Sequence, residues 1–216
     1  MFITSKFKRL ANISNKMIKI KNFAGVAPPT EESKVLLECI LSLKGEDVLE
    51  LGTGTGYVAI AASKEGKKVI ATDINPKAVE TCKINVKLNN INLIILQSDL
   101  FKNVRGKFDI IAFNPPISID KAGSNAIHRV KSFIRSTKLL RTILRYTYSK
   151  LNKSILRLID ELFIDAKEHL KENGSILICV INNFEEDIKR ISDLNGYNNE
   201  LMKNFNYGKV YRFTLR

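Results

Sequence analysis

Asn114-Pro115-Pro116-Ile117 is the segment of this 216-residue chain whose residue types most directly imply chemistry. An amide or exocyclic base nitrogen is a poor nucleophile because its lone pair is delocalised. The Asn114 side-chain oxygen and the Pro115 carbonyl can each accept one N–H from such a nitrogen. Those bonds draw the nitrogen toward tetrahedral geometry and aim its lone pair at an electrophile held alongside. Pro116 fixes φ next to that carbonyl, so the clamp needs no reorganisation. The displacement is then mostly positioning, without a metal or a strong general base.

The electrophile needs a holder, and Glu50-Leu51-Gly52-Thr53-Gly54-Thr55-Gly56 has the composition of one. Glycines permit positive φ and carry no Cβ, so a ligand can touch the backbone. N–H groups at the following helix start favour a carboxylate or phosphate. The dinucleotide fingerprint would need glycine at position 57, where Tyr57 stands; this counts against NAD and leaves room for another nucleoside. Asp73 ends the run Val69-Ile70-Ala71-Thr72, where two carboxylate oxygens can accept both ribose hydroxyls. Asp99, in Gln97-Ser98-Asp99-Leu100, is expected within reach of an adenine amino group. All three acids fall at the carboxyl ends of expected strands, where open α/β sheets bind ligands.

The elements that must position these residues alternate. Strands are expected at 47–51, 68–72, 93–97, 108–113 and 175–181. Helices are expected after Thr30 as N-cap up to Gly45, and at 57–64, 76–88, 154–170 (closed by Asn173-Gly174) and 184–194. A hairpin of 200–202 and 209–215 around Asn206-Tyr207-Gly208 closes the chain, and a short strand is expected near Met17–Ile20. This pattern predicts an α/β fold with a mostly parallel sheet covered on both faces. The division expected is a basic arm over residues 1–27 and one domain over 28–216.

Bulk properties narrow the class. A hydrophobic content of 44% supports a real core. Cys39, Cys82 and Cys179 are too scattered for a disulfide framework, and His128 and His169 lack Cys or His neighbours, so no metal site is expected. No apolar run approaches the roughly 18 residues of a spanning helix, and the N-terminus has no leader pattern. A cytoplasmic protein without a membrane span is expected. The net charge of +13 is concentrated: residues 1–22 carry +6 without an acid, and residues 118–153 carry nine Lys or Arg against Asp120 alone. Ile127, Val130, Ile134, Leu140, Ile143 and Leu144 share much of one helical face in that second segment, giving a basic amphipathic insert, as one helix or a broken pair. Arg129, Arg135, Lys138 and Arg141 on its other face are expected to grip a polyanion.

The run Glu50 to Gly56, with Asp73, Asp99 and Asn114-Pro115-Pro116, resembles the successive motifs of class I S-adenosylmethionine-dependent methyltransferases. The upstream Pro28-Pro29-Thr30-Glu31-Glu32-Ser33 is similar to a motif of HemK-related methylases. The resemblance implies a Rossmann-like seven-stranded sheet with one antiparallel strand from the terminal hairpin. It also implies S-adenosyl-L-methionine as cofactor, with Glu50, Gly52 and Gly54 near its methionine part, Asp73 at the ribose and Asp99 at the adenine. Thr30, Gly56 and Asn114 complete the expected cofactor contacts, and Thr30, Glu31 and Glu32 would sit beside it. The family motif usually continues with Tyr, expected against the acceptor; here Ile117 replaces it as the expected substrate contact, so any stacking aromatic must come from elsewhere, such as Phe101, Phe113 or Phe133.

Three functions are compatible with these residues. The basic segments favour an N-methyltransferase acting on an exocyclic base amine of ribosomal or transfer RNA. The resemblance also fits methylation of a glutamine side chain in a translation release factor, since a primary amide suits the same two acceptors. A non-catalytic RNA-binding protein on this fold is the third, and a small activating subunit is left open as a partner.

Overall fold

The computed structural model describes residues 18–116 and 138–216, with 138–152 described by backbone only. The expected calls on residues 1–17, on Ile117 and on 118–137, which include Arg129, Phe133 and Arg135, lie outside the described residues. The chain alternates as its periodicity implies: α1 (Glu31–Ser42), β1 (Asp47–Leu51), α2 (Tyr57–Lys64), β2 (Lys68–Asp73), α3 (Pro76–Leu88), β3 (Ile94–Gln97) and β4 (Phe108–Phe113). Then come α4 (Lys138–His169), β5 (Leu170–Ile181), a short 3-10 turn, α5 (Glu185–Leu194), β6 (Tyr197–Phe205) and β7 (Gly208–Leu215). The strands form one seven-stranded sheet in the order β3-β2-β1-β4-β5-β7-β6. β1 to β5 run parallel, and β7 is antiparallel to both β5 and β6.

The central strands are apolar on both faces because both faces are covered. Leu49, Leu51, Ile111, Phe113, Ile176 and Ile178 pack against Ile155, Ile159, Leu162 and Phe163 of α4 and Ile188 of α5. Val48, Ile110, Ala112, Leu177 and Cys179 face the opposite way, onto α1, α2 and α3 through Leu36, Ile40, Ile60, Cys82 and Val86. Alternation along β1 therefore turns Glu50 toward the α1–α3 face, beside Val48. It likewise turns Asn114 toward that face, one residue beyond Phe113.

Three local expectations differ from the structure. The helix expected to start at Ser154 begins at Lys138, because no Gly or Pro interrupts 138–169 and nothing breaks the run. The basic insert therefore ends inside α4. The stretch Leu170–Gly174, expected to close the helix, belongs to β5: Leu170 pairs with Phe108, and the register shifts between Phe108 and Ile110 around Asn173 at φ 61°. Residues 18–22 form no strand. The N–H groups of Lys19 and Lys21 donate to Asn89 Oδ1 (3.1 Å) and Asn85 Oδ1 (2.8 Å), and those amides donate back to the Lys19 and Lys21 carbonyls. Side-chain amides one turn apart on α3 thus do what a neighbouring strand would do. Residues 18–27, expected to belong to an arm, are fastened to the domain.

Candidate active site

A cavity of about 470 Å³ opens at the carboxyl ends of β1, β2, β4 and β5. Its floor is the turn between β1 and α2. There the Thr53 N–H donates to the Thr72 carbonyl (2.8 Å), and the Gly54 N–H donates to Asp73 Oδ2 (2.9 Å). Gly54 adopts φ 55°, and a Cβ built there would meet nothing nearer than the Ala27 carbonyl at 3.7 Å. A Cβ would thus sit in ordinary contact there, and it is the left-handed backbone that calls for glycine.

Glu50 lies under this turn, 5% exposed, with Oε2 accepting the Thr53 hydroxyl at 2.7 Å. Burial pushes its carboxyl up to about 8, against the hydrogen bonds from Thr53 and from the backbone at Ala59, and the Asp73 charge adds to the rise. Asp73 already serves the protein on both oxygens, since Oδ1 accepts the Asn75 N–H (2.9 Å) while Oδ2 holds Gly54. Asp99 lines the same cavity and pairs with Lys102 at 2.6 Å. Beside it Leu100 holds φ 45°, a left-handed conformation costly for a branched side chain.

The acceptor side is built from the end of β4. Asn114, Pro115 and Pro116 all line the cavity, with Pro115 buried and Asn114 half-buried. Thr30 lines it too, as the N-cap of α1, its N–H donating to Ser33 Oγ (3.3 Å). Gly52, Gly54, Glu50, Asp73, Asp99, Thr30 and Asn114 are thus brought together. Gly56 is not among the cavity-lining residues. It caps α2 at φ 82°, and a Cβ there would sit 2.5 Å from Cys82 Sγ, so the packing of α3 requires a glycine here. Lys138 and Arg141 fall in the first turns of α4, where the side chains lie outside the described residues.

Sequence reasoning missed a strap. Gly25, Val26, Ala27, Pro28 and Pro29 cross the mouth of the cavity, held by Asn75 Nδ2 donating to the Gly25 carbonyl (3.2 Å). Behind it Asn85, fully buried, donates through Nδ2 to the carbonyls of Lys21 and Thr55 (2.9 Å each), tying strap to Gly-rich turn. The available signal was a polar pair, Asn85 and Asn89, bracketing the apolar Val86 on a helix that otherwise buries that side. Phe205 of β6 and Leu158 of α4 also reach the cavity from far along the chain. Among the described residues no group of three or more His, Cys, Asp or Glu could hold a metal ion, and no helix is long and apolar enough to cross a membrane.

The family model described as "Methyltransferase small domain" matches residues 29–142. A Methanocaldococcus jannaschii protein named a protein N5-glutamine methyltransferase is 52% identical over 100 residues, 46% of this chain and 51% of that one. A release factor glutamine methyltransferase of Aquifex aeolicus is 30% identical over 199 residues, covering 88% of this chain and 66% of the relative. The match thus spans about half the length of the first of these and about two thirds of the second. Among solved structures, a methyltransferase from Pyrococcus furiosus superimposes with a TM-score of 0.65 at 21% identity, over 97% of this chain and 96% of that one.

Proposed function

The chain belongs to the methyltransferase small-domain family, and we propose that it is an S-adenosylmethionine-dependent N-methyltransferase acting on a glutamine side chain of a translation release factor. The residues present fit the cofactor. Gly52 and Gly54 bring side-chain-free backbone to the cavity lining, and carboxyl groups suited to ribose and adenine line it too. When bound, S-adenosylmethionine supplies a methyl group on a positively charged sulfur. Gly52 and Gly54 would give its methionine part backbone contact, Asp73 would accept ribose hydroxyls on its remaining lone pairs, and Asp99 would hold the adenine.

The acceptor amide enters beside Asn114. Its two N–H groups donate to the Asn114 side-chain oxygen and to the Pro115 carbonyl, which turns the nitrogen lone pair toward the methyl group. Pro116 holds that carbonyl in place, and the strap with Phe205 keeps water from the reacting atoms.

The observation that carries this reading is Asn114-Pro115-Pro116 at the end of β4, in one cavity with the turn after β1. The relatives named for glutamine methylation favour the amide over a base amine. The basic segments that suggested RNA lie largely outside the described residues. The test is to offer labelled cofactor with purified release factor in one tube and ribosomal RNA in another. Label in the release factor is expected, and label in RNA alone would overturn the reading.

A further inference from the structure

We infer that Glu32 determines acceptor specificity: its buried carboxyl accepts an N–H from the polypeptide that presents the acceptor amide. The inference rests on the proposed function and extends it to the substrate's own chain.

Glu32 stands in the first turn of α1, 4% exposed, and lines the cavity. Its Oε2 is the one buried side-chain oxygen or nitrogen among the described residues that has no hydrogen-bond partner. Folded chains satisfy most such atoms, and an exception in a cavity wall is a place where a ligand or an ordered water completes the set.

Its position assigns the ligand. The Cys179 thiol donates to the Glu32 carbonyl (3.8 Å), and burial together with the Glu32 charge pushes that thiol up. Cys179 follows Ile178, whose partner across the sheet is Phe113, so Glu32 stands over the ends of β5 and β4. The Gly52–Gly54 turn follows β1, Asp73 ends β2 and Asp99 follows β3, beyond β1 from β4. The order β2-β1-β4-β5 puts them on one side of Asn114 and Glu32 on the other.

The acceptor half therefore presents oxygen acceptors: the Asn114 carboxamide, the Pro115 carbonyl and the Glu32 carboxyl. Such a set selects a planar nitrogen flanked by a further N–H donor, as peptide groups next to a glutamine supply. It rejects adenine and cytosine amines, whose neighbouring ring nitrogens are acceptors and would face a carboxyl lone pair to lone pair.

The test measures methyl transfer to release factor by wild type, Glu32→Gln and Glu32→Asp, with cofactor affinity by calorimetry and thermal melts alongside. Losing a charged hydrogen bond should raise KM for release factor by roughly tenfold or more in Glu32→Gln, with kcat and cofactor affinity near wild type. Glu32→Asp should fall between. The melting temperature should not drop, because the replaced atom has no partner in the free protein. An unchanged KM, a loss confined to cofactor affinity, or a lowered melting temperature overturns the inference while the proposed function stands. Transfer to guanine in RNA that depends on Glu32, with none to release factor, overturns both, as does a wild type that methylates neither.

Discussion

The Gly54 N–H donates to Asp73 Oδ2 at 2.9 Å, so the acid at the end of β2 holds the turn that follows β1. Asp73 was expected as a ribose ligand. In the fold it fixes the turn after β1 through Gly54, and the ribose contact proposed for it would fall on the same carboxylate. Asp73→Ala removes the pin together with the ribose acceptor. A hydrogen bond to a charged group contributes about 1.5–3 kcal/mol, so cofactor affinity should fall roughly 10- to 100-fold by calorimetry. Affinity within a factor of about two would show that Asp73 acts on the loop alone.

Asn85 joins three parts of the molecule: α3, the strap at Lys21 and the turn at Thr55. Asn85→Ala leaves one buried backbone group, the Thr55 carbonyl, and two part-buried ones at Lys21 to find other partners. We expect a loss of roughly 2–4 kcal/mol in denaturant unfolding. Amide exchange should quicken at Lys21, whose N–H loses its acceptor. Asn89→Ala, on the exposed end of the same pair, should cost less than half of that. Equal losses would contradict the assignment of Asn85 as the joint.

Gly56 is a packing glycine at φ 82° with Cys82 Sγ against its open side. Gly56→Ala should cost about 2–4 kcal/mol, part from the left-handed backbone and part from the clash. Adding Cys82→Ala should recover the second part, and a double-mutant cycle reads the coupling. Additive losses would mean that the two residues do not meet.

How much was legible in the sequence depended on the kind of interaction. The β1 to β5 alternation, the closing hairpin and the Glu50–Gly56 turn are local patterns, and each appears where its residues place it. The boundary at Ser154 failed because a serine that could cap a helix also sits tolerably inside one, and packing of Ile155 and Ile159 continues the run. The strap and the segment before it were illegible because their partners are side-chain amides some 50 to 70 residues away, which no periodicity announces. The packing duty of Gly56 was hidden for a related reason: a glycine in a ligand loop and a glycine under a helix look alike until the neighbour is known.

Two glutamates give opposite dependences on pH. Glu50 has its carboxyl raised from 4.5 to about 8, so the folded chain keeps a proton that the unfolded chain loses. Its contribution is full below pH 4.5 and is lost as pH rises through about 8, and Glu50→Gln should remove that decline. Glu185 is held down to about 2 by Lys209, Tyr211 and Lys189, so its contribution is full above pH 4.5 and is lost as pH falls through about 2. Glu185→Gln should destabilise at neutral pH, with the difference from wild type shrinking toward pH 2. Unfolding curves for both variants across this range check the signs, and pH profiles parallel to wild type would contradict them.

The central claim is that Asn114 clamps a glutamine amide beside the methyl donor. Its most direct test is mass spectrometry of release factor treated with S-adenosylmethionine and either wild type or Asn114→Ala. The account predicts one added methyl group on a glutamine side-chain nitrogen with wild type. With the variant it predicts transfer lowered by roughly 100-fold or more at saturating cofactor, because one of two aiming hydrogen bonds is gone. Undiminished modification by Asn114→Ala, or a methyl group on any other side chain, would contradict it.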